Sequence, residues 1–513
     1  MRADPVTVAA TLRHQARARG DHPLLVCDGD RIGYAEADHR SAELARGLVA
    51  LGAGKGTHVG LLHPNGTDFV VGMLAAARIG AVVVPFSTFV TARELREQLV
   101  DSDVQILLSA GSFRSHDYVQ RLSEVIPRAD LDFGDRLFCA AVPQLRHVAF
   151  AHDAVRALAG SVDAALLRAS EDVVYDCDPL AIVYTSGSTS APKGVVHTHG
   201  ALLGHQRNLN ATRGLTASDK LFCNSPFFWI GGFAFGLLAT LVAGSTLVCS
   251  NAIDAGATLD LLEAERPTMT NGFAAGIAHL AEHPSYAERD LSSMRRGNLY
   301  PIMAPDTRPA DPELRHNMLG MTEAGSVVLI SEDESDQPET RRGSFGKPAP
   351  GFETKIVDQD PSGVGELCIR GPYVMQGYYK RSREECFDAD GWFHTGDLVR
   401  TDDDGFVYFV GRLSAMVKTA GANVSAAEVE QAITRVTGAE AYVVGVPDTQ
   451  RGELVAAVVV QRDFDESAVR ERLKAELSSY KIPKRFLSLS RADVPLLSSG
   501  KVDTRRLRKL FDA

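Results

Sequence analysis

The segment Tyr184-Thr-Ser-Gly-Ser-Thr-Ser-Ala-Pro-Lys193-Gly194 holds the densest set of groups able to handle phosphate. It follows an apolar stretch, 181–184, that reads as a strand, and it sets hydroxyls and glycines ahead of a lysine. Backbone amides and hydroxyls in such a loop cradle phosphate oxygens while the lysine supplies charge. The pattern is not the common nucleotide loop GxxxxGK(S/T), because Pro192 stands where a glycine should precede the lysine and Gly194 replaces Ser or Thr. On these residues alone a plain Ser/Thr/Gly loop stays open. A second stretch, Gly52-Ala-Gly-Lys55-Gly-Thr, fails the same pattern at Val49 and reads as a helix-ending loop before a strand at Val59. His197 and His199 form an HxH, but no Cys, Asp or His cluster nearby completes a metal set, so both read as structural.

The rest of the chain must position that loop. At 513 residues it is too long for one ordinary core, and several domains or subdomains follow. A net charge of −11 argues against a nucleic-acid partner, which would require a basic face. The short cluster Arg505, Arg506, Arg508 and Lys509 reads as a solvated helix face. Seven cysteines, odd in number and never spaced CxxC, fit reduced thiols and a cytoplasmic location. Residues 1–23 lack the apolar run of a signal peptide. Residues 221–253 carry no charge and are long enough to span a bilayer, but four glycines and Pro226 break them into a helix (232–242), a Gly-Ser turn and a strand (246–249), so no transmembrane segment is expected.

Strand and helix signals alternate. Residues 59–62 read as a strand, 67–78 as a helix closed by Gly80, and 81–85 as a strand, a βαβ unit that implies a parallel sheet with helices on its faces. After the acidic stretch 331–340 come short strands at 352–357, 365–370 and 406–410, separated by Gly, Pro and Asp turns, which predict a β-rich subdomain over 341–411. Beyond residue 412 a compact pattern resumes: helix 426–436, strands 441–446 and 454–461, helix 466–478. The expectation is an α/β chain. A large N-terminal region, 1–411, combines parallel sheets with helices, and a small mobile α+β domain, 412–513, follows a hinge near 412–415.

Motifs in order along the chain resemble those of the AMP-forming adenylating superfamily, which includes acyl-CoA synthetases, peptide-synthetase adenylation domains and firefly-type luciferases. The 184–194 segment resembles its phosphate loop, and Leu319-Gly-Met321-Thr322-Glu323 its nucleotide and magnesium motif. Gly365-Glu-Leu-Cys-Ile-Arg-Gly371 with Gly377-Tyr378-Tyr379 resembles the β-subdomain signature, and Trp392-Phe-His-Thr-Gly396-Asp397 the ribose motif. Gly411-Arg412 resembles the start of the hinge, and Lys418-Thr-Ala-Gly421-Ala-Asn-Val424 with Glu428-Val-Glu430 the glycine-bearing loop of the mobile domain. Pro495-Leu-Leu-Ser-Ser-Gly500-Lys501-Val502 resembles the C-terminal lysine motif. The chain is most similar to a bacterial acyl-CoA synthetase.

The resemblance implies ATP-dependent activation of an organic acid to acyl-AMP, with pyrophosphate release and then transfer to coenzyme A. The alternatives are transfer to an amine or to a carrier-protein phosphopantetheine. It implies nucleotide contacts from Thr185, Ser186, Gly187, Ser188, Thr189, Lys193, Met321, Thr322, Asp397, Arg412 and Lys501. Catalytic roles fall to Lys501, Glu323 and Thr322, with Mg2+ held by Glu323 and Thr185. Lys501 would bridge the attacking carboxylate and the phosphate, placing charge where two anions must meet. Phe227, Phe228, Trp229, Gly232, Phe273, Ala274 and Met321 are expected to wall an apolar pocket for an aliphatic or aromatic acid. Lys418 and Gly421 would border the CoA tunnel and Ser414 the hinge. ATP, Mg2+ and CoA are the expected cofactor and substrates; no carrier domain is appended, and a homodimer stays open. Three departures stand out: Ser190 in place of the phosphate-loop glycine, Trp229 in place of a common His, and Ser414-Ala415 in place of acidic hinge residues.

Overall fold

The computed structural model describes residues 6–127, 131, 133–134, 136–185, 192–413, 416–461, 464–495 and 502–512. The chain forms two compact units: residues 1–88, 99–184 and 194–411 make the first, and 89–98, 185–193 and 412–513 the second.

Two largely parallel sheets form the framework of the first unit. The helix Thr67–Arg78 is apolar from Phe69 to Ala77 (TDFVVGMLAAAR), as a helix covered on most sides must be, and every residue in it except Asp68 is buried. Gly80, at φ +68°, ends it in the left-handed conformation that glycine adopts at least cost. The buried Arg78 is held by Glu171 (2.6 Å) and Asp38 (2.6 Å), so its charge is paired. Strands His58–Leu62 and Val82–Pro85 flank this helix in sequence and pair in parallel, as the βαβ pattern predicts. They belong to a seven-stranded sheet ordered Gly377–Tyr378, Lys193–Thr198, Pro179–Thr185, Val82–Pro85, His58–Leu62, Ile106–Ser109 and His147–Ala149. The strands that flank the phosphate-loop segment in sequence are thus neighbours in one sheet. A six-stranded sheet contains Arg296–Gly297, Met269–Asn271, Lys220–Cys223, Thr246–Cys249, Pro23–Cys27 and Asp30–Gly33 in that order.

The uncharged stretch 221–253 folds as strand, helix and strand, and no helix among the described residues is long and apolar enough to cross a membrane. Its helix differs from the expectation in kind. Gly231–Leu238 is a π-helix that passes into an α-helix only at Ala239–Ala243. Gly232 explains the close approach at the start: a Cβ there would lie 2.1 Å from the Pro226 carbonyl oxygen. Further on, Glu353–Val357, Gly365–Arg370 and Val407–Arg412 form where short strands are expected, and Phe393–Thr401, read from sequence only as a motif, joins them in a four-stranded sheet.

The second unit is built on a five-stranded sheet. In it Ala422–Ser425, Met416–Thr419, Gly452–Val459 and Ala441–Asp448 are successive neighbours, and Arg485–Ser488 adds to Gly452–Val459 in parallel. The amphipathic helix Ala426–Thr437 buries Val429, Ala432, Ile433 and Val436 and is capped by the Ser425 hydroxyl. Segment 89–98, which sequence reasoning left with the N-terminal region, groups here through a buried ion cluster. Lys481 Nζ lies 2.7 Å from Glu94 Oε1 and 2.8 Å from Glu428 Oε1, and the Ser478 hydroxyl donates to Glu94 at 2.6 Å. Burial opposes the Lys481 charge, but Tyr480, Glu94 and Glu428 outweigh it and raise its pKa; burial raises that of Glu428. Lys481→Met leaves two buried carboxylates facing each other and is expected to destabilise the fold by about 3–5 kcal/mol, read as a lower denaturant midpoint. An unchanged midpoint would show that the cluster holds nothing in place.

Candidate active site

The strand that follows the phosphate loop organises the Thr322-Glu323 motif. Lys193–Thr198 pairs antiparallel with Gly377–Tyr378, putting Val195 opposite Tyr378 and Val196 opposite Gly377. That pairing fixes the Tyr378 backbone, and the hydroxyl of Tyr378 donates to Glu323 Oε1 at 2.8 Å. From the same strand, His197 Nε2 bonds the Thr322 carbonyl oxygen at 2.7 Å. Burial lowers the His197 pKa to about 4, so at neutral pH the ring is uncharged and its Nε2–H donates to that carbonyl. The Met375 amide donates to the Glu323 carbonyl at 2.8 Å, and Gly325 (φ +67°) closes the turn Thr322–Ala324. A single tight turn therefore presents a threonine hydroxyl and a carboxylate with both backbone carbonyls already occupied. Burial first, and then the Glu323 charge, push the Tyr378 pKa up, which keeps its proton in place as a donor.

Sequence reasoning placed His197 as structural and gave Tyr378 no role. Their function here is local positioning, and the signal available was weak: a histidine four residues past the start of the strand Lys193–Thr198, and a tyrosine in a β-signature. His199 is structural in the plain sense, its Nδ1 accepting from the Val8 amide at 3.2 Å.

Asp397 stands on the strand Phe393–Thr401 and is 3% exposed. Its turn is held from the neighbouring strand: Gly396, at φ +72°, donates its amide to Glu366 Oε1 at 2.9 Å, and the Thr395 hydroxyl donates to the Leu367 carbonyl at 2.7 Å. Glu366 Oε2 meets His394 Nδ1 at 2.8 Å. Glu366, Cys368 and His394 are the three-residue grouping of potential metal ligands among the described residues. Both Glu366 oxygens are already engaged, and burial lifts the Cys368 thiol to about 11, far from the thiolate that a metal requires. This grouping reads as the scaffold of the Asp397 turn.

The predicted pocket wall is only partly open. Phe227 has no accessible surface and packs on Phe69 with ring centres 5.3 Å apart, so it belongs to the core and not to a wall. Gly232 faces the Pro226 backbone, which leaves no room there for a side chain. Phe228, Trp229 and Phe273 form an edge-to-face chain, 5.3 and 6.0 Å between centres, with Phe273 36% exposed. Ala274 is exposed and Met321 is 9% exposed.

Within the second unit, Arg412 starts the C-terminal segment, and Lys418 and Gly421 lie on a hairpin. Ala420 (φ +48°) and Gly421 (φ +84°) form its two-residue turn, which matches the type that twists with its strands. That backbone is itself a reason for glycine at 421. Thr185 and Lys193 are the ends of the strands Pro179–Thr185 and Lys193–Thr198. Ser186, Gly187, Ser188, Thr189, Ser190, Ser414 and Lys501 lie outside the described residues.

Two family descriptions match the chain: AMP-binding enzyme over residues 12–379 and AMP-binding enzyme C-terminal domain over residues 428–501. A CoA ligase of Mycobacterium tuberculosis, named for a methyl-dioxo-octahydroindenyl propanoyl group, is 32% identical over 527 residues, 98% of this chain and 99% of its own. A feruloyl-CoA synthase of Amycolatopsis is 32% identical over 503 residues, 94% of each chain. Among solved structures, a double mutant of the o-succinylbenzoate CoA synthetase of Bacillus subtilis, bound to its product analogue, has a TM-score of 0.78 at 25% identity and covers 98% of both chains.

Proposed function

The chain belongs to the AMP-binding enzyme family, and we infer from that membership and from the Thr322-Glu323 turn that it is an ATP-dependent carboxylate–CoA ligase. A carboxylate oxygen of the acid attacks the α-phosphorus of ATP, the bond to pyrophosphate breaks, and acyl-AMP results. The sulfur of CoA then attacks the acyl carbonyl, and AMP leaves as the thioester forms. The observation that carries this reading is a carboxylate, Glu323, held by Tyr378 beside a hydroxyl residue whose carbonyl is held by His197.

Glu323 suits magnesium, because one of its oxygens is oriented by a neutral donor and no cation pairs with it among the described residues. When bound, the ion would offset the triphosphate charge and stabilise the departing pyrophosphate. Lys501 meets the carboxylate and the α-phosphate together. Lys193 with Thr185, Ser186, Gly187, Ser188 and Thr189 holds the outer phosphates, and Asp397 takes two ribose hydroxyls. Arg412 pairs with ribose or phosphate oxygens, for which a forked guanidinium is suited. The acid is apolar, aliphatic or ring-bearing; both relatives above are named for ring-bearing acyl groups. The seven free cysteines support a reducing compartment, and we place the protein in the cytoplasm.

The test is acid-dependent pyrophosphate release across a magnesium titration. Glu323→Gln is expected to move the magnesium midpoint upward. Tyr378→Phe is expected to do so by roughly 10- to 100-fold, the range of one hydrogen bond to a charged group. Midpoints equal to wild type in both variants would make the pair structural and remove the metal assignment.

A further inference from the structure

A cavity of about 70 Å³ opens in the first unit, lined by Arg213, Phe235, Asn271, Asn298, Met318 and Glu334 among others. Its wall comes from elements that also carry the candidate site. Phe235 lies on the π-helix that starts two residues after Trp229, Asn271 ends a strand two residues before Phe273, and Met318 precedes Thr322 by four positions.

Among the described residues that line the cavity, Arg213 is the one with a buried polar atom lacking a partner. Its guanidinium lies 3.9 Å from the centre of the Phe235 ring, and its Nη2 donates to the Phe235 carbonyl (3.0 Å) and to Asn210 Oδ1 (3.1 Å). Nε is buried with no hydrogen-bond partner, and no carboxylate among the described residues pairs with the group. Burial lowers its pKa to about 9, so it stays protonated at neutral pH and can only donate. Of the other ions nearby, Arg296 pairs with Asp219, Arg315 with Asp336, and Asp333 accepts from Ser335 and Gln337, while the Glu334 carboxylate feels the charges of Arg296 and Arg315 and not that of Arg213.

We propose that this cavity is the distal subsite for the acid and that Arg213 reads an uncharged oxygen, a ring ketone or hydroxyl, at the end remote from the activated carboxylate. The proposal rests on the ligase reading above. Three features of the cavity select that chemistry. A buried guanidinium nitrogen without an acceptor wants an oxygen. The apolar side chains Phe235, Met269, Met318 and Ile330 want a hydrocarbon body. Asp333 and Glu334 in the same wall oppose a second carboxylate. The volume is about half that of a roughly 150 Å³ cavity that holds benzene, so it suits the ketone end of one ring and not a second ring.

The test uses the whole chain and three acids: cyclohexylpropanoic acid, its ring-ketone analogue and its ring-carboxylate analogue, each followed by pyrophosphate release. The ketone acid is expected to exceed the unsubstituted acid in kcat/KM by about 10- to 100-fold, the effect of one charge-assisted hydrogen bond. Arg213→Leu should bring the two values together, and Arg213→Lys should keep part of the preference. Should Arg213→Leu fail to fold, the wild-type preference and the lysine variant still decide. Equal kcat/KM for ketone and unsubstituted acids, a preference for the carboxylate analogue, or a ketone preference that survives in Arg213→Leu overturns the subsite alone. No pyrophosphate with any acid overturns the ligase reading, and this one with it.

Discussion

Lys501→Ala is expected to lose acyl-adenylate formation by about 10²–10³-fold while its denaturant midpoint stays at the wild-type value. The first half-reaction brings a carboxylate onto a phosphate, and the cost of that approach is set by charge. A preorganised ammonium at the meeting point acts on both groups in the transition state, when negative charge crowds most closely. The lysine sits in a Gly500-Lys501-Val502 context that resembles the family's C-terminal motif. The assay is acid-dependent pyrophosphate release in single turnover. Adenylation within a few-fold of wild type would remove Lys501 from the chemistry and leave it a surface residue.

The second large effect separates the two half-reactions. Ser414→Pro fixes φ in the segment proposed as the hinge. We expect adenylate formation to continue while thioester formation slows by roughly tenfold or more, about 1.4 kcal/mol or more on that barrier. A companion variant uses the hairpin turn. Because Gly421 has φ +84°, leucine there would strain the backbone as well as fill space. Asn tolerates that conformation, so Gly421→Asn adds bulk with little strain and should slow only the CoA step. If both variants form thioester at the wild-type rate, the hinge and tunnel assignments fall.

Elements with one unambiguous pattern were legible before any coordinates. The run Thr67–Arg78, apolar from Phe69 to Ala77 and with Gly80 behind it, the strand Gly365–Arg370 and the helix Ala426–Thr437 are fixed by local residues, and they appear within a residue or so of their expected ends. What was not legible depends on distant partners. The π-helix at Gly231–Leu238 follows from the fit of Gly232 against Pro226, which no 3.6-residue periodicity reveals. Phe227 looked like pocket lining because it neighbours Trp229, yet Phe69 covers it. Glu94 joins the Lys481 cluster across almost four hundred residues of sequence, which pattern reading cannot bridge. The same holds at the site. Thr322, Glu323 and Asp397 are singled out by their motifs, whereas the groups that hold their turns, His197, Tyr378 and Glu366, become visible only as hydrogen-bond partners.

The central claim is that an acid leaves this protein as a CoA thioester. It is met most directly by incubating the wild-type chain with ATP, Mg2+, an apolar acid, CoA and a primary amine together, and identifying the acylated product by mass spectrometry. The account predicts acyl-CoA with AMP and pyrophosphate in equal amounts, dependent on the acid, with no amide above the level formed without enzyme. Amide as the acylated product, with no thioester for any acid, would contradict it.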